Sequence, residues 1–163
     1  MGLPLLFGAA AIYLVATLGL GLVVGTCFAD TGNRITCVDV NADKIASLQR
    51  GEVPIYEPGL DELMASNMKA GRLSFTDDLA QAVDGSEAVF IAVGTPSRPD
   101  DGHADMTYVF QAAEEVAKAL RSYAVIVTKS TVPVGTNREI TRIVRAANPK
   151  AEFDSASNPE FLR

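Results

Sequence analysis

Short apolar runs alternate with amphipathic stretches along the chain. Runs such as AVFIAV at 88–93 and AVIVTK at 124–129 are typical of strands that are buried on both faces of a sheet. This alternation predicts an α/β fold, in which a doubly wound parallel sheet binds its ligand at the carboxyl ends of the strands. The pattern predicts strands near 11–17, 34–40, 73–76, 88–93, 124–129 and 153–157, and helices near 23–30, 42–50, 58–70, 77–84, 105–121 and 135–147.

Two of the predicted helices have recognisable first turns. Asp105 is predicted to be the N-cap residue of the helix near 105–121. In the helix near 58–70, Pro58 suits the first helical position, and Asp61 and Glu62 suit the positive end of the helix dipole. The apolar face predicted for the helix near 105–121 consists of Met106, Val109, Ala113, Val116 and Leu120.

The first 29 residues carry no charged side chain, and a helix of that length would span a bilayer. The flanks argue against a membrane anchor, because no basic cluster borders the run and no basic region precedes a small-residue cleavage site. A buried strand at 11–17, followed by a glycine turn and a buried helix, gives the same apolar run. One continuous helix from Leu3 to Val24, acting as an anchor, is the alternative.

Three glycines and one acid suggest a nucleotide site. Gly19, Gly21 and Gly25 follow the first predicted strand, and Asp39 ends the second. In a Rossmann-type unit such glycines let the backbone approach a pyrophosphate, and an acid about 20 residues later accepts hydrogen bonds from ribose hydroxyls. A carboxylate there repels a 2′-phosphate, which favours NAD over NADP. All four residues are predicted to bind the cofactor, although a polar strand end would also explain Asp39 by itself.

Composition narrows the class and the compartment of the protein. The length of 163 residues favours one domain, 1–163, and the net charge of −6 argues against nucleic-acid binding. Cys27 and Cys37 lack the spacing of metal ligands, so no metal is predicted. Both are predicted to be buried in a protein of the reducing cytoplasm. His103 is the single histidine, and no catalytic role is assigned to it.

Polar turns follow three of the predicted strands, namely VGTPS, KSTVPVGT and SNPEFLR. Together with CFADTGNRITCVDVNADKIASLQRGEVPIYEPGLDELM, FIAVGTPS and DGHADMTYV, they make residues 26–163 resemble the nucleotide-sugar dehydrogenases of the UDP-glucose/GDP-mannose dehydrogenase family. KSTVPVGT is more similar to the branch that acts on UDP-glucose than to the branches that act on GDP-mannose or UDP-N-acetylmannosamine.

The resemblance implies an NAD-dependent oxidoreductase of polysaccharide biosynthesis. Such enzymes oxidise the C6 alcohol of UDP-glucose to the carboxylate of UDP-glucuronate in two steps, with a thiol carrying the intermediate aldehyde, and the full-length enzyme is expected to be a homodimer. Residues 1–11 have no counterpart in the family. The family's central helix and its C-terminal substrate domain, which carries the thiol, are absent from residues 1–163, so the chain alone is expected to be inactive.

The resemblance also implies roles for individual residues. Asp39 would hold the adenosine ribose with Lys44 beside it, and Thr95 would contact the dinucleotide. Thr131 would lie by the nicotinamide and order the catalytic water, since a hydroxyl both donates and accepts, and Glu160 would relay a proton. The alternatives are a local turn for Thr131, a helix cap for Thr95 and solvated side chains for Lys44 and Glu160. The sugar-nucleotide loop implied by the resemblance begins with Glu160, Phe161, Leu162 and Arg163.

The glycine turn departs from the G-x-G-x-x-G of the family. Counted back from Cys27 without a gap, the first two glycine positions fall on Ala16 and Leu18, and Gly21 alone keeps its place. Aligned instead on Gly19 and Gly21, the segment reads G-x-G-x-x-x-G with Gly25, which requires a few residues to be missing from the helix. A side chain at Leu18 would hinder the approach of a pyrophosphate to the backbone. A second hypothesis therefore stays open, in which the chain is a truncated or degenerate, non-catalytic dinucleotide-binding module, with or without a membrane tether.

Overall fold

A computed structural model describes residues 11–16 and 20–159 of the chain. In this part, strands and helices alternate from the first element to the last. The strands are β1 (Ala11–Ala16), β2 (Arg34–Val38), β3 (Leu73–Thr76), β4 (Ala88–Ala92), β5 (Ala124–Thr128) and β6 (Phe153–Ser157). The helices are α1 (Leu20–Asp30), α2 (Ala42–Gln49), α3 (Leu60–Lys69), α4 (Leu79–Val83), α5 (Thr107–Ala119) and α6 (Thr136–Ala147).

The six strands form one sheet in the order β3-β2-β1-β4-β5-β6, and every neighbouring pair is parallel. The chain runs outward from β1 to β3, crosses back to β4, and runs outward again to β6. Where the direction reverses, β1 and β4 are neighbours, and α1 and α5, the helices that follow them, pack in the cores of opposite faces. In open α/β sheets this arrangement leaves a crevice at the carboxyl ends of the strands. The predicted doubly wound parallel sheet is confirmed.

Each face of the sheet has its own hydrophobic core. Successive strand residues point to opposite faces, so Cys37 belongs to one core and Val38 to the other. The α1–α3 face, covered by helices α1, α2 and α3, packs large side chains such as Met64 and Phe75. The α4–α6 face, covered by helices α4, α5 and α6, packs mainly alanine and valine, and its buried α5 residues are Val109, Ala112, Ala113, Val116, Ala117 and Ala119.

Helix α1 lies very close to strand β2. Gly25 is buried within α1, and a Cβ atom at this position would lie 2.9 Å from Cys37 Sγ and 3.4 Å from Ile35 Cγ2. Any larger residue would therefore push the helix away from the strand. Gly25 lies inside α1, not in the turn before the helix, and it faces β2. The absence of a side chain at this position allows the helix and the strand to pack closely.

The predicted elements are confirmed, with ends that shift by up to three residues. Two predicted helix starts are wrong. Met106, rather than Asp105, is the N-cap residue of α5, although Asp105 Oδ1 accepts a hydrogen bond of 2.9 Å from Thr107 N. Pro58 is not the first helical residue of α3, because Gly59 has a φ of +81° and the helix starts after it, which keeps Asp61 and Glu62 in the first turn as predicted.

The prediction that Cys27 is buried is also wrong, whereas Cys37 is buried as predicted. Residues two positions apart on a helix point to nearly opposite sides. Because Gly25 of α1 faces the sheet, Cys27 faces outward. One side of α1 thus packs against β2, and Cys27 lies on the opposite side of the helix.

The anchor alternative is contradicted by the first strand. Residues Ala11–Ala16 form β1, which pairs with both β2 and β4, and α1 begins only at Leu20. A continuous helix from Leu3 to Val24 is incompatible with this arrangement. Among residues 11–16 and 20–159, no helix has the length and apolar character needed to cross a membrane.

Candidate functional site

The loops after β2, β4 and β5 reach the carboxyl edge of the sheet, and they carry Asp39, Thr95 and Thr131. Hydrogen bonds tie the start of the β5 loop to β4 and to the loop after β4: Lys129 N donates to Ile91 O at 2.9 Å, and Ser130 Oγ donates to Val93 O at 2.7 Å. Three of the residues predicted from the sequence therefore share the edge where open α/β sheets bind ligands.

Asp39 and Lys44 form an ion pair at this edge. Lys44 Nζ lies 2.7 Å from Asp39 Oδ2, and the two side chains are only 20% and 9% exposed, respectively. The other carboxylate oxygen, Asp39 Oδ1, accepts a hydrogen bond of 2.9 Å from Asn41 N. An ionised carboxylate has about four acceptor positions, so two remain for hydroxyl groups of a ligand.

The helix α2 fixes the position of Lys44. Asn41 is the N-cap residue of α2, and its side chain accepts a hydrogen bond of 3.1 Å from Lys44 N. Asp39, Asn41 and Lys44 thus form a closed set of three hydrogen bonds at the end of β2. The N-terminus of α2 adds partial positive charge beside the carboxylate.

Asp39 and Lys44 also line a small cavity of about 20 Å³. This is the room that one water molecule needs. Cys37 lines the cavity, and burial raises the pKa of its thiol to about 12, so the thiol is protonated and unreactive at neutral pH. Its charged lining residues are Asp39 and Lys44, and the others are Leu22, Cys37, Val38, Ile45, Leu48 and Phe75.

A larger and mostly apolar pocket, of about 560 Å³, opens at the same edge. It lies between the ends of β2 and β4 and the first turns of α5. The sequence analysis missed this pocket. Two features pointed to it: Val40 is an apolar residue directly after Asp39, and Tyr108 belongs to the segment DGHADMTYV. The lining residues are Val40, Val93, Gly94, Pro96, Tyr108, Gln111, Ala112 and Glu115.

The loop after β5 is held from both sides. Thr128 Oγ1 donates to Asn137 Oδ1 at 3.0 Å, and Thr136 Oγ1 donates to Pro133 O at 2.7 Å. Thr131 lies between these anchors and is exposed, whereas Thr95 in the loop after β4 is half-buried. Neither residue caps a helix, since α5 and α6 have Met106 and Gly135 as their N-cap residues.

The loop between β4 and α5 is closed by its own contacts. Ser97 and Ala104 form an isolated antiparallel bridge, and Arg98 pairs with Asp101 across it. Hydrogen bonds from Thr107 hold the pKa of Asp105 below its usual value. His103 is exposed in this loop.

Several predicted site residues lie outside the described part of the chain. These are Gly19, which lies between β1 and α1 in the sequence, and the segment Glu160, Phe161, Leu162 and Arg163 after β6. Gly21 lies in the first turn of α1. Of the residues that the structure describes, no three of the histidine, cysteine, aspartate and glutamate side chains are grouped to hold a metal ion.

Comparison with known proteins agrees with this geometry. Residues 12–163 match the family model described as "UDP-glucose/GDP-mannose dehydrogenase family, NAD binding domain". A UDP-glucose 6-dehydrogenase of Rhizobium meliloti (strain 1021) is 59% identical over 88% of this chain, and one of Bacillus subtilis (strain 168) is 48% identical over 93%. In both cases the match covers 33% of the relative. The chain thus spans about a third of the length of these curated relatives.

Solved structures agree as well. A UDP-glucose dehydrogenase from the hyperthermophilic archaeon Pyrobaculum islandicum superposes with a TM-score of 0.89 at 41% identity, covering 99% of this chain and 38% of that one. A ternary complex of GDP-mannose dehydrogenase from Pseudomonas aeruginosa gives a TM-score of 0.87 at 34% identity, covering 94% of this chain and 36% of that one. The predicted cofactor, NAD, is confirmed by the description of the matching domain. The chain belongs to the UDP-glucose/GDP-mannose dehydrogenase family and corresponds to its NAD binding domain.

Proposed function

We propose that this chain is the cofactor-binding part of an enzyme that oxidises the C6 alcohol of UDP-glucose to UDP-glucuronate in two NAD-dependent steps. Two relatives named UDP-glucose 6-dehydrogenase, at 59% and 48% identity, support this substrate over the other sugar nucleotides of the family. The segment KSTVPVGT supports the same branch. The alternative of a degenerate module is not favoured by identities this high.

The carboxylate of Asp39 is the observation on which the proposal rests. It lies at the end of β2, nearly buried, with Oδ1 bound to Asn41 N and Oδ2 bound to Lys44 Nζ. An acceptor-only group in this position suits the two hydroxyls of a ribose. The same negative charge disfavours a 2′-phosphate at that place.

The apolar pocket between β2, β4 and α5 suits the adenine ring. Its walls include Val40, Val93 and Tyr108, which offer apolar and aromatic surface to a flat base. Val40 of the pocket directly follows Asp39 at the end of β2, so the base and the ribose of one nucleotide would lie side by side. The residues present therefore fit an adenine dinucleotide.

The remaining roles concern the reacting end of the site. When bound, NAD supplies the hydride acceptor for both oxidation steps. The Thr131 hydroxyl would order a water beside the nicotinamide, and Thr95 would contact the dinucleotide from the β4 loop. Glu160 would relay the proton. The proposed sugar-nucleotide contacts are Glu160, Phe161, Leu162 and Arg163.

The chain by itself is proposed to be one domain, 1–163, that binds cofactor without turning over substrate. The family reaction needs a reactive thiol. Cys37 is buried with its pKa raised to about 12, and Cys27 lies in the second half of α1, away from the strand ends. We place the complete enzyme in the cytoplasm as a homodimer.

The test is calorimetric titration of the purified chain with NAD, with NADP as the control ligand. We expect NAD binding that the Asp39→Ala substitution weakens roughly tenfold to a hundredfold, the range for hydrogen bonds to a charged group. Asp43→Ala is the matched control. Asp43 is exposed in the first turn of α2, so its substitution removes the same charge close to Asp39.

A second pair of variants tests the adenine pocket in the same titration. Tyr108 and Tyr123 are 54% and 51% exposed, so Tyr108→Ser and Tyr123→Ser remove similar surface from two places. We expect only Tyr108→Ser to weaken NAD binding. A folded wild-type chain that binds no NAD would instead support the degenerate module, in which the altered glycine turn has disabled the site.

A further inference from the structure

The apolar pocket beside β4 has a polar end. The residues of α5 that line it are Tyr108, Gln111, Ala112 and Glu115. Their spacing of three and four positions places them in one stripe along the helix, about 10 Å long. The stripe begins at the strand ends with the ring of Tyr108, in the first turn of α5, and it finishes at Glu115. The pocket is therefore apolar where it meets the strand ends and polar further along the helix.

A hydrogen bond joins the two polar residues of this stripe. Gln111 Nε2 donates to Glu115 Oε1 at 3.1 Å. The amide nitrogen must face the carboxylate, because a carboxylate accepts hydrogen bonds and cannot donate them. This bond uses one of about four acceptor positions of Glu115, so the carboxylate can accept from a ligand as well. Of the lining residues that the structure describes, Glu115 is the one that carries a charge.

The preceding acid of α5, Glu114, behaves differently. Its carboxylate is 50% exposed and forms an ion pair with Lys118, in which Glu114 Oε1 lies 2.6 Å from Lys118 Nζ. Glu115 is less exposed and has no ion pair with any residue in 11–16 and 20–159. A half-buried carboxylate without a cation is stabilised by each donor that binds to it. Of these two acids, Glu115 is therefore the one available to a donor group in the pocket.

An adenine base offers such a donor on its far side. The base is joined to its ribose through the five-membered ring, whereas the 6-amino group, a hydrogen-bond donor, lies on the six-membered ring. With the ribose at Asp39, as proposed above, the amino group is on the side of the base that lies away from the strand end. The polar end of the pocket lies in the same direction.

We propose that Glu115 selects adenine as the base of the dinucleotide, by accepting a hydrogen bond from the 6-amino group. This inference rests on the proposed binding of an adenine dinucleotide at this edge. Hypoxanthine and guanine carry a carbonyl oxygen at C6, which would bring one acceptor against another. A site that binds a donor disfavours an analogue without it, because the polar group of the site is then left unpaired.

The test compares NAD with nicotinamide hypoxanthine dinucleotide, in which a carbonyl group and its adjacent N–H replace the 6-amino group and N1 of adenine. The two ligands share the pyrophosphate and both riboses, so the ratio of their dissociation constants reports on the base alone. Calorimetric titration gives this ratio for the wild type, for Glu115→Gln and for the matched control Glu114→Gln. Each substitution removes one negative charge from α5 and preserves the side-chain shape. Denaturant unfolding verifies that each variant is folded.

We expect the wild type to bind NAD roughly tenfold to a hundredfold more tightly than the hypoxanthine dinucleotide, the range of one hydrogen bond to a charged group. In Glu115→Gln the ratio should fall to about threefold or less, because an amide also donates and so accommodates a carbonyl oxygen. Glu114→Gln should keep the wild-type ratio. A wild-type ratio near one, an unchanged ratio in Glu115→Gln, or an equal fall in both variants would overturn the inference.

A second pair of ligands separates this inference from the proposed function. Adenosine 5′-monophosphate and inosine 5′-monophosphate differ in the base in the same way and lack the pyrophosphate bridge. A wild-type chain that fails to bind NAD but prefers the adenosine nucleotide, with the preference lost in Glu115→Gln, would contradict the proposed function and support the role of Glu115. NAD binding without any preference for adenine would have the reverse meaning. A folded chain that binds none of the four nucleotides would overturn both.

Discussion

The two faces of the sheet contribute different chemistry to the same edge. The α1–α3 face provides charge, because Lys44 of α2 reaches Asp39 at the end of β2. The α4–α6 face provides apolar and aromatic surface, because the first turns of α5 present Tyr108 and Ala112 to the pocket beside β4. A nucleotide needs both, since its sugar is polar and its base is flat and largely apolar. Under the proposed function, recognition of the sugar and recognition of the base would therefore depend on different faces and could be altered independently.

The hydrophobic cores of the two faces also differ, in the size of their buried side chains. Large side chains such as Met64 and Phe75 fill the α1–α3 face, whereas α5 buries four alanines on the α4–α6 face. Small side chains let a helix lie close to a sheet. Tyr108 lies in the first turn of α5 and lines the pocket at the strand ends, and on the other face Gly25 permits a close approach of α1 to β2. Substitutions that remove side-chain volume should therefore destabilise the fold most in the α1–α3 core. Substitutions that add side-chain volume should destabilise it most in the α4–α6 core.

Met64→Ala is the prediction with the largest expected effect. Met64 is fully buried on α3, so its truncation leaves a cavity in the α1–α3 core and should lower the free energy of unfolding by about 2–5 kcal/mol. Denaturant unfolding measures the change. Met68→Ala, on the same helix but only half-buried, is the matched control and should cost clearly less. Equal losses for the two variants would show that this core is not tightly packed.

Ala113→Leu makes the opposite change on the other face. Ala113 is fully buried on α5, and the added atoms must displace α5 or its neighbours, which should cost about 1–3 kcal/mol of unfolding free energy. The same unfolding experiment applies. Ala146→Leu is the control, since Ala146 is exposed on α6 and tolerates a larger side chain. An Ala113→Leu variant as stable as the wild type would mean that α5 is not held close to the sheet.

The pH dependence of stability should single out Cys37. Burial raises the pKa of its thiol from 9.0 to about 12, so above pH 9 the unfolded chain loses this proton while the folded chain keeps it. The stabilisation is complete below pH 9 and is lost as the pH rises towards 12, at up to about 1.4 kcal/mol per pH unit. Unfolding between pH 8 and about pH 11 should give a flatter dependence in Cys37→Ala than in the wild type.

Cys27→Ala is the control for this experiment. Cys27 is exposed, so its removal should leave the slope of stability against pH unchanged. Other groups that titrate in the same range, such as the lysines and tyrosines, contribute equally to all three proteins and cancel in the comparison. Parallel slopes for the wild type and Cys37→Ala would contradict the burial of this thiol.

Local patterns in the sequence predicted the order and type of the elements. Short apolar runs identified the strands β4 and β5, and the spacing of Val109, Ala113 and Val116 identified the buried side of α5. The ends of helices were less accessible to prediction. The start of α3 depends on the left-handed backbone of Gly59, and the cap of α5 depends on which of two adjacent residues begins the first turn.

The sequence likewise predicted some parts of the candidate site and missed others. Asp39 followed from its place at a strand end, and Lys44, Thr95 and Thr131 followed from the family resemblance. The apolar pocket did not follow, because Val40, Pro96 and Tyr108 are far apart in sequence and only the crossing of the chain from β3 back to β4 brings them together. The outward direction of Cys27 was missed because α1 has no charged side chain before Asp30, so its composition did not reveal which side faces β2.

Thr131→Val tests the uncharged part of the edge and should have the smallest effect. Thr131 is exposed in the loop after β5, and the substitution removes its hydroxyl while nearly preserving its shape. A hydrogen bond between neutral groups contributes about 1 kcal/mol, so the NAD dissociation constant should rise by no more than roughly fivefold, well below the effect of Asp39→Ala. Thr141→Val on α6 is the control, because the Thr141 hydroxyl bonds to Asn137 O within the helix. If Thr131→Val weakened NAD as much as Asp39→Ala does, binding would depend on the β5 loop as strongly as on the charged end of β2, and the division of roles between the two faces would have to be abandoned.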